Sequence, residues 1–227
     1  MNPTFVDLLE SNAAHAQAFH DRFDDLQTGQ APEAVTVCCS DSRVLQDHLW
    51  GNDDPGRLFT VANIGNRVVQ RTDHGTVVSG DVLYPLEHTG TEAVVVVGHT
   101  GCGAVTATYD AIRDGADEPP GIDHCLGVLR PDLEPGTKAL PSDLDRAAAI
   151  DRLVEYNVDR QVDRLRESPA VPETVDVLGV VYDFLDTYPG SRGHVHVINV
   201  DGERRVDVLR DAHPSVADRV HRLWEYA

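Results

Sequence analysis

The chain has 227 residues, 41% of them hydrophobic, enough for one sizeable core and too short for two full-sized domains, so a single domain over 1–227 is expected. Its 38 acids against 19 bases leave a formal charge of −19, with Lys138 as the one lysine, and a field of that sign excludes nucleic acid and anionic membrane surfaces as partners. No apolar run of about 18 residues is present to cross a membrane, and Met1 to Glu10 lacks a signal-peptide pattern, so a soluble, cytoplasmic protein with reduced thiols is expected.

From Asn2 to Thr28, residues Phe5, Leu8, Leu9, Phe19, Phe23 and Leu26 recur at roughly helical spacing, which predicts a helical arm over 1–29. Glu33 to Cys39 and Arg57 to Ala62 read as short strands. Thr76 to Thr89 reads as a helix, and Glu92 to Gly98, with four consecutive valines, as a strand covered on both faces. The stretch 115–141 is rich in Gly, Pro and Asp and is expected to form a loop or lid. Asp143 to Glu167 predicts a long helix with Ile150, Leu153, Val154, Val158, Val162 and Leu165 as its apolar stripe. Val175 to Val181 repeats the buried-strand character, and the alternation in His194 to Val200 predicts an edge strand with His194 and His196 on an exposed polar face. Strands alternating with helices predict an α/β fold: a mainly parallel central sheet flanked by helices, with an extended amino-terminal arm and an edge strand near the carboxyl end.

Two segments directly follow predicted strands: Cys39-Ser40-Asp41-Ser42-Arg43 and His99-Thr100-Gly101-Cys102-Gly103. In an open parallel sheet the carboxyl ends of the strands form the ligand-binding edge, and two thiolates with one imidazole make a donor set suited to Zn2+. Three ligands leave a fourth position open, where water is acidified toward neutrality and becomes a hydroxide nucleophile. Asp41 stands close enough in sequence to take that position itself, and a bidentate pair with Arg43 holds it off the metal as an ionised hydrogen-bond acceptor. Cys38 should point away from its neighbour into the core. His124 and Cys125 have no evident partners, and Gly98 to Gly103 fits neither phosphate-binding fingerprint.

The pair C-x-D-x-R and H-x-x-C, about sixty residues apart, resembles the β-class carbonic anhydrases. The resemblance extends to Pro55-Gly56-Arg57-Leu58-Phe59, to Asn63-Ile64-Gly65-Asn66, and to Asn157-Val158, Gln161-Val162 and Leu165. It implies reversible hydration of carbon dioxide to bicarbonate and a proton, with Cys39, His99 and Cys102 as zinc ligands and Asp41 and Arg43 as the catalytic pair. Gln30, nine residues before the first ligand, and Tyr84, fifteen before His99, resemble the plant-like branch. By that resemblance Gln30, Phe59, Ile64, Tyr84 and Gly103 form the substrate pocket, partly across a subunit boundary in a homodimer or a dimer-based higher oligomer.

Scattered acids such as Asp21, Asp24, Asp25, Asp53, Asp54, Asp114, Asp117 and Glu118 resemble the surfaces of proteins from salt-accumulating archaea. The other branch carries a bicarbonate-operated switch built on a tryptophan and an arginine, and here those positions hold Thr36 and Ala62. The stretch from Asp114 to Ser142 has no counterpart in the family pattern. A carbonyl sulfide or carbon disulfide hydrolase on the same scaffold is the rival enzyme. A non-catalytic zinc-binding protein is the rival from another class, requiring a closed fourth position.

Overall fold

The computed structural model describes residues 2–225. The arm forms as expected: α1 (Pro3–Phe19) starts where the Asn2 side chain accepts from Thr4 N at 3.0 Å, with proline at the first position, where no N–H is needed. A 3-10 turn follows over His20–Leu26. None of the α1 residues is buried, and Phe5, Leu8 and Leu9 are each more than half exposed.

The central sheet runs in the order β2 (Leu58–Asn63), β1 (Ala34–Cys39), β5 (Ala93–His99), β6 (Asp176–Asp183) and β7 (His194–Val200). The first four strands are parallel, and β7 pairs antiparallel with β6 at the edge. A small hairpin, β3 (Val69–Thr72) with β4 (Gly75–Val78), stands apart from it. Cys39 pairs with Asn63, and His99 with Tyr182, so four strands end along one edge. Side chains alternate as a pleated strand requires: Val35, Val37, Val94 and Val96 enter the main core, whereas Cys38, Val97 and Val180 pack on the opposite face.

The helices are α2 (Gly80–His88), α3 (Gly103–Arg113), α4 (Pro120–Ala139), α5 (Arg146–Arg166) and the short α6 (Val206–Ala212). The six residues expected as the stripe of the long helix, from Ile150 to Leu165, are all buried on α5.

Three expectations are corrected. The helix expected from Thr76 begins at Gly80, because β-branched Thr76, Val77 and Val78 complete the hairpin and Ser79 then caps α2. The expected loop over 115–141 is mostly the 20-residue α4, whose Leu126, Leu129 and Leu133 repeat at helical spacing and are buried. Pro131 within it removes the hydrogen bond to the Gly127 carbonyl, and the Arg71 guanidinium takes that oxygen instead. Finally, His196 is buried on β7, stacked on Tyr188 at 4.5 Å with its Nδ1 3.3 Å from that of His221, because the carboxyl-terminal segment covers this strand.

Candidate active site

Cys39 is the last residue of β1 and His99 the last of β5, while Cys102, after the turn at Thr100 and Gly101, caps the start of α3. All three are buried, and their ligand atoms lie within 4.8 Å of one another. The sulfurs are 3.8 Å apart. A tetrahedral ion with sulfur at about 2.3 Å sets two thiolates about 3.8 Å apart, so the pair is spaced for zinc.

His99 Nδ1 lies 3.0 Å from the Thr100 carbonyl oxygen, which only accepts, so Nδ1 carries the proton and Nε2 presents a bare lone pair. That Nε2 is buried with no hydrogen-bond partner. An orphaned nitrogen beside two sulfurs is what a metal ion would satisfy.

The Gly65 N–H dipole favours the ionised Cys39 sulfur, and the Ala104 and Val105 N–H dipoles at the opening of α3 favour that of Cys102. The Cys39 thiol is lowered to about 5, chiefly because Cys102 donates its S–H to the thiolate. Cys102, as the donor and as a buried thiol, is pushed up. Without a cation the pair therefore keeps one proton, and binding a divalent ion releases it. Cys38, expected in the core, is fully buried, and burial raises its thiol to about 12.

Asp41 and Arg43 form the expected clamp. Arg43 Nη2 donates to Asp41 Oδ2 at 2.6 Å, while its Nε and backbone N donate to Oδ1 at 2.8 and 2.9 Å. This holds the Asp41 carboxyl well below the usual carboxylate range. Its Oδ2 stands 3.6 Å from His99 Nε2, yet the carboxylate does not join the three-donor group.

Behind the two turns that carry the candidate metal donors lies a polar framework. Asp151 on α5 accepts from Gly101 N at 2.8 Å, and Asp183 at the end of β6 accepts from Thr100 Oγ1 at 3.2 Å. Asn63 Oδ1 accepts from Arg67 N at 2.7 Å and Gln161 Oε1 from Val68 N at 2.9 Å, while Asn157 Nδ2 donates to Gly65 O at 3.2 Å. These contacts fix the loop whose Gly65 supports Cys39.

The pocket residues divide. Gly103 opens α3 beside Cys102, and Ile64 directly follows the Asn63 that pairs with Cys39. Phe59 pairs with Val35, four residues from that end, about 13 Å of strand away. The Tyr84 ring on α2 is 6.4 Å from Phe59 and half exposed, and exposed Gln30 precedes the start of β1. Within one chain the structure thus unites the metal donors, Asp41 and Arg43, but leaves Gln30, Phe59 and Tyr84 apart from them. Asp151, Asp183 and Phe184 were not singled out in the sequence. Asp183-Phe184 had a usable signal, since this pair ends a third parallel strand at the same edge.

The carbonic anhydrase family model matches residues 34–188, a span holding Cys39, His99 and Cys102. A carbonic anhydrase of Pseudomonas aeruginosa is 32% identical over 200 residues, covering 86% of this chain and 84% of that protein. The chloroplastic β carbonic anhydrase 5 of Arabidopsis thaliana is 27% identical over 186 residues, 76% of this chain and 61% of that one. Among solved structures, the β-carbonic anhydrase CafA of Aspergillus fumigatus matches with a TM-score of 0.68 at 28% identity, covering 93% of this chain and 96% of that one. A tetrameric β-carbonic anhydrase of Sordaria macrospora shares the fold, with a TM-score of 0.69 at 24% identity over 88% of this chain and 98% of that one. This chain belongs to the β-class carbonic anhydrase family, a family of zinc enzymes, and its Cys-His-Cys cluster has the donors and spacing to hold that ion.

Proposed function

We propose that the chain interconverts carbon dioxide and bicarbonate at this edge of the sheet, with Cys39, His99 and Cys102 holding zinc and Asp41 and Arg43 completing the site. A zinc ion held there supplies the acidity that turns water into a hydroxide nucleophile near neutral pH. Asp41, ionised and clamped, is placed to accept a hydrogen bond from the attacking water and so to orient it toward the substrate carbon. Arg43 keeps the carboxylate in place and away from the metal. Ile64 and Gly103, beside the ligands, border the space for the small uncharged substrate.

The carrying observation is the clamp: an acid held by three bonds from Arg43, 3.6 Å from His99 Nε2, with no fourth His, Cys, Asp or Glu joining the metal donors among the described residues. That leaves the fourth position to solvent and opposes a purely structural zinc. Asp41→Asn should retain a full complement of zinc while losing most turnover in stopped-flow hydration. Wild-type turnover would remove Asp41 from the mechanism.

Gln30, Phe59 and Tyr84 are assigned to the pocket of a partner chain, because Phe59 stands about 13 Å of strand from Cys39 in its own chain, Tyr84 lies beside Phe59 and is half exposed, and exposed Gln30 precedes β1. The apolar stripe of α1 supports the same assembly, since Phe5, Leu8 and Leu9 stay more than half exposed among the described residues. We place the protein as a dimer-based oligomer in the cytoplasm of a salt-accumulating cell. Sedimentation of a purified sample tests the assembly, and a monomer at micromolar concentration with full activity would contradict the shared pocket.

A further inference from the structure

Arg43 performs its task with a side chain that is half exposed, so burial does not fix it. Apart from Asp41, its guanidinium makes one other polar contact among the described residues, a long 3.5 Å approach of Nη2 to Gly101 O. What it does rest on is aromatic: its central carbon lies 4.6 Å from the centroid of the Phe184 ring. The same ring stacks on His99, with centroids 5.6 Å apart and planes 23° apart. One side chain therefore touches both a metal ligand and the arginine that restrains Asp41.

Phe184 is itself held in register with the metal-binding turn. Its backbone N donates to Thr100 Oγ1 at 3.2 Å, and that hydroxyl donates to Asp183. The Asp183 carboxylate also accepts from the backbone N of Leu185 and of Tyr188, at 3.0 and 2.9 Å. The Tyr182 ring stands 5.9 Å from Phe184. The ring is thus fixed to the segment that carries His99, while Arg43 comes from the opposite turn.

We propose that Phe184 is a positioning residue whose ring is the seat for Arg43, and that through Arg43 it keeps Asp41 off the metal. This rests on the Asp41–Arg43 reading above. A guanidinium over an aromatic face is attracted by the ring quadrupole, an attraction that an aliphatic side chain lacks. At a partly exposed site it shifts an equilibrium about two- to fivefold. Without the seat, Arg43 samples other positions, Asp41 competes for the metal, and the open position becomes harder for an exogenous anion to reach.

The test is azide titration of the cobalt-loaded protein, followed by its visible spectrum at neutral pH, with metal content measured in each sample. Wild type and Phe184→Tyr, which keeps the aromatic face, should bind azide alike. Phe184→Leu should retain cobalt and need about two- to fivefold more azide. Arg43→Leu is the reference and should need more again. Weakened binding in Arg43→Leu with wild-type binding in Phe184→Leu overturns the seat and leaves the clamp standing. Wild-type binding in Arg43→Leu overturns the clamp, and the seat with it. Loss of cobalt from Phe184→Leu alone overturns the proposal in favour of a role confined to His99. If Phe184→Leu does not fold, Phe184→Met, which fills the space with a flexible side chain and has no aromatic face, should show the same weakening, and wild-type binding there overturns the seat.

Discussion

Replacing Gly65 by alanine tests how closely the loop after β2 is fitted behind the metal-bearing end of β1. Gly65 has a φ of +82°, and a Cβ built there would stand 2.4 Å from Leu129 Cδ1. The left-handed backbone alone costs an L residue about 1–2 kcal/mol. Leu129 is fully buried, so its displacement is overpacking of about 1–3 kcal/mol. Together these give roughly 2–5 kcal/mol, which in a chain of this size lowers the melting midpoint by about 4–20 °C. Gly51→Ala is the matched control: its φ is +61° with nothing within 4 Å of the new Cβ, so only the backbone cost remains, about 2–8 °C. Scanning calorimetry of both variants in the zinc-loaded state gives the comparison. Because the Gly65 N–H dipole favours the Cys39 thiolate, displacing this loop in Gly65→Ala should also speed loss of zinc to a chelator, which Gly51→Ala should not. Equal midpoints for the two variants would refute the close approach of the loop to α4.

Burial and neighbouring His221 lower His196 to about 4, so between there and the ordinary 6.5 the unfolded chain binds a proton that the folded one refuses. Stability should accordingly rise with pH across that window and level off above it, by roughly 3 kcal/mol, and His196→Phe should flatten the urea midpoint between pH 4.5 and 7. With 38 acids against 19 bases, self-repulsion should make the melting temperature climb with potassium chloride from about 0.1 to 2 M; a flat response would contradict the salt-adapted reading. Bicarbonate should not inhibit cooperatively, because Thr36, whose hydroxyl faces Gln46 Oε1 at 3.4 Å, and Ala62 offer no indole or guanidinium to receive it. A sigmoidal inhibition curve, or an Asp41 oxygen at about 2.0 Å from zinc near neutral pH, would overturn that expectation.

What was legible in the sequence was whatever local pattern decides. The β-branched runs of β1 and β5 are covered on both faces, and each ends directly on a turn that carries candidate metal donors, so strand, edge and donors were readable together. The α4 helix was missed because its Gly and Pro signals are local, whereas Leu126, Leu129 and Leu133 gain their burial from packing, and Arg71 satisfies the carbonyl that Pro131 frees. His196 was read as exposed because the cover comes from a segment more than twenty residues later. Asp151, Asp183 and Phe184 reach the site across some 50 to 140 residues of chain, where no spacing rule operates. Gln30, Phe59 and Tyr84 came from family resemblance alone, and in a single chain they stand away from the metal.

The most direct test is to measure zinc content and stopped-flow carbon dioxide hydration on one purified sample of the wild type beside Cys39→Ser, His99→Ala and Cys102→Ser. The wild type should carry one zinc per chain and hydrate carbon dioxide, and each variant should lose metal and activity together, since too few donors remain to hold the ion. A variant with full zinc occupancy would exclude that residue as a ligand, and a zinc-loaded wild type without hydration activity would contradict the assigned reaction.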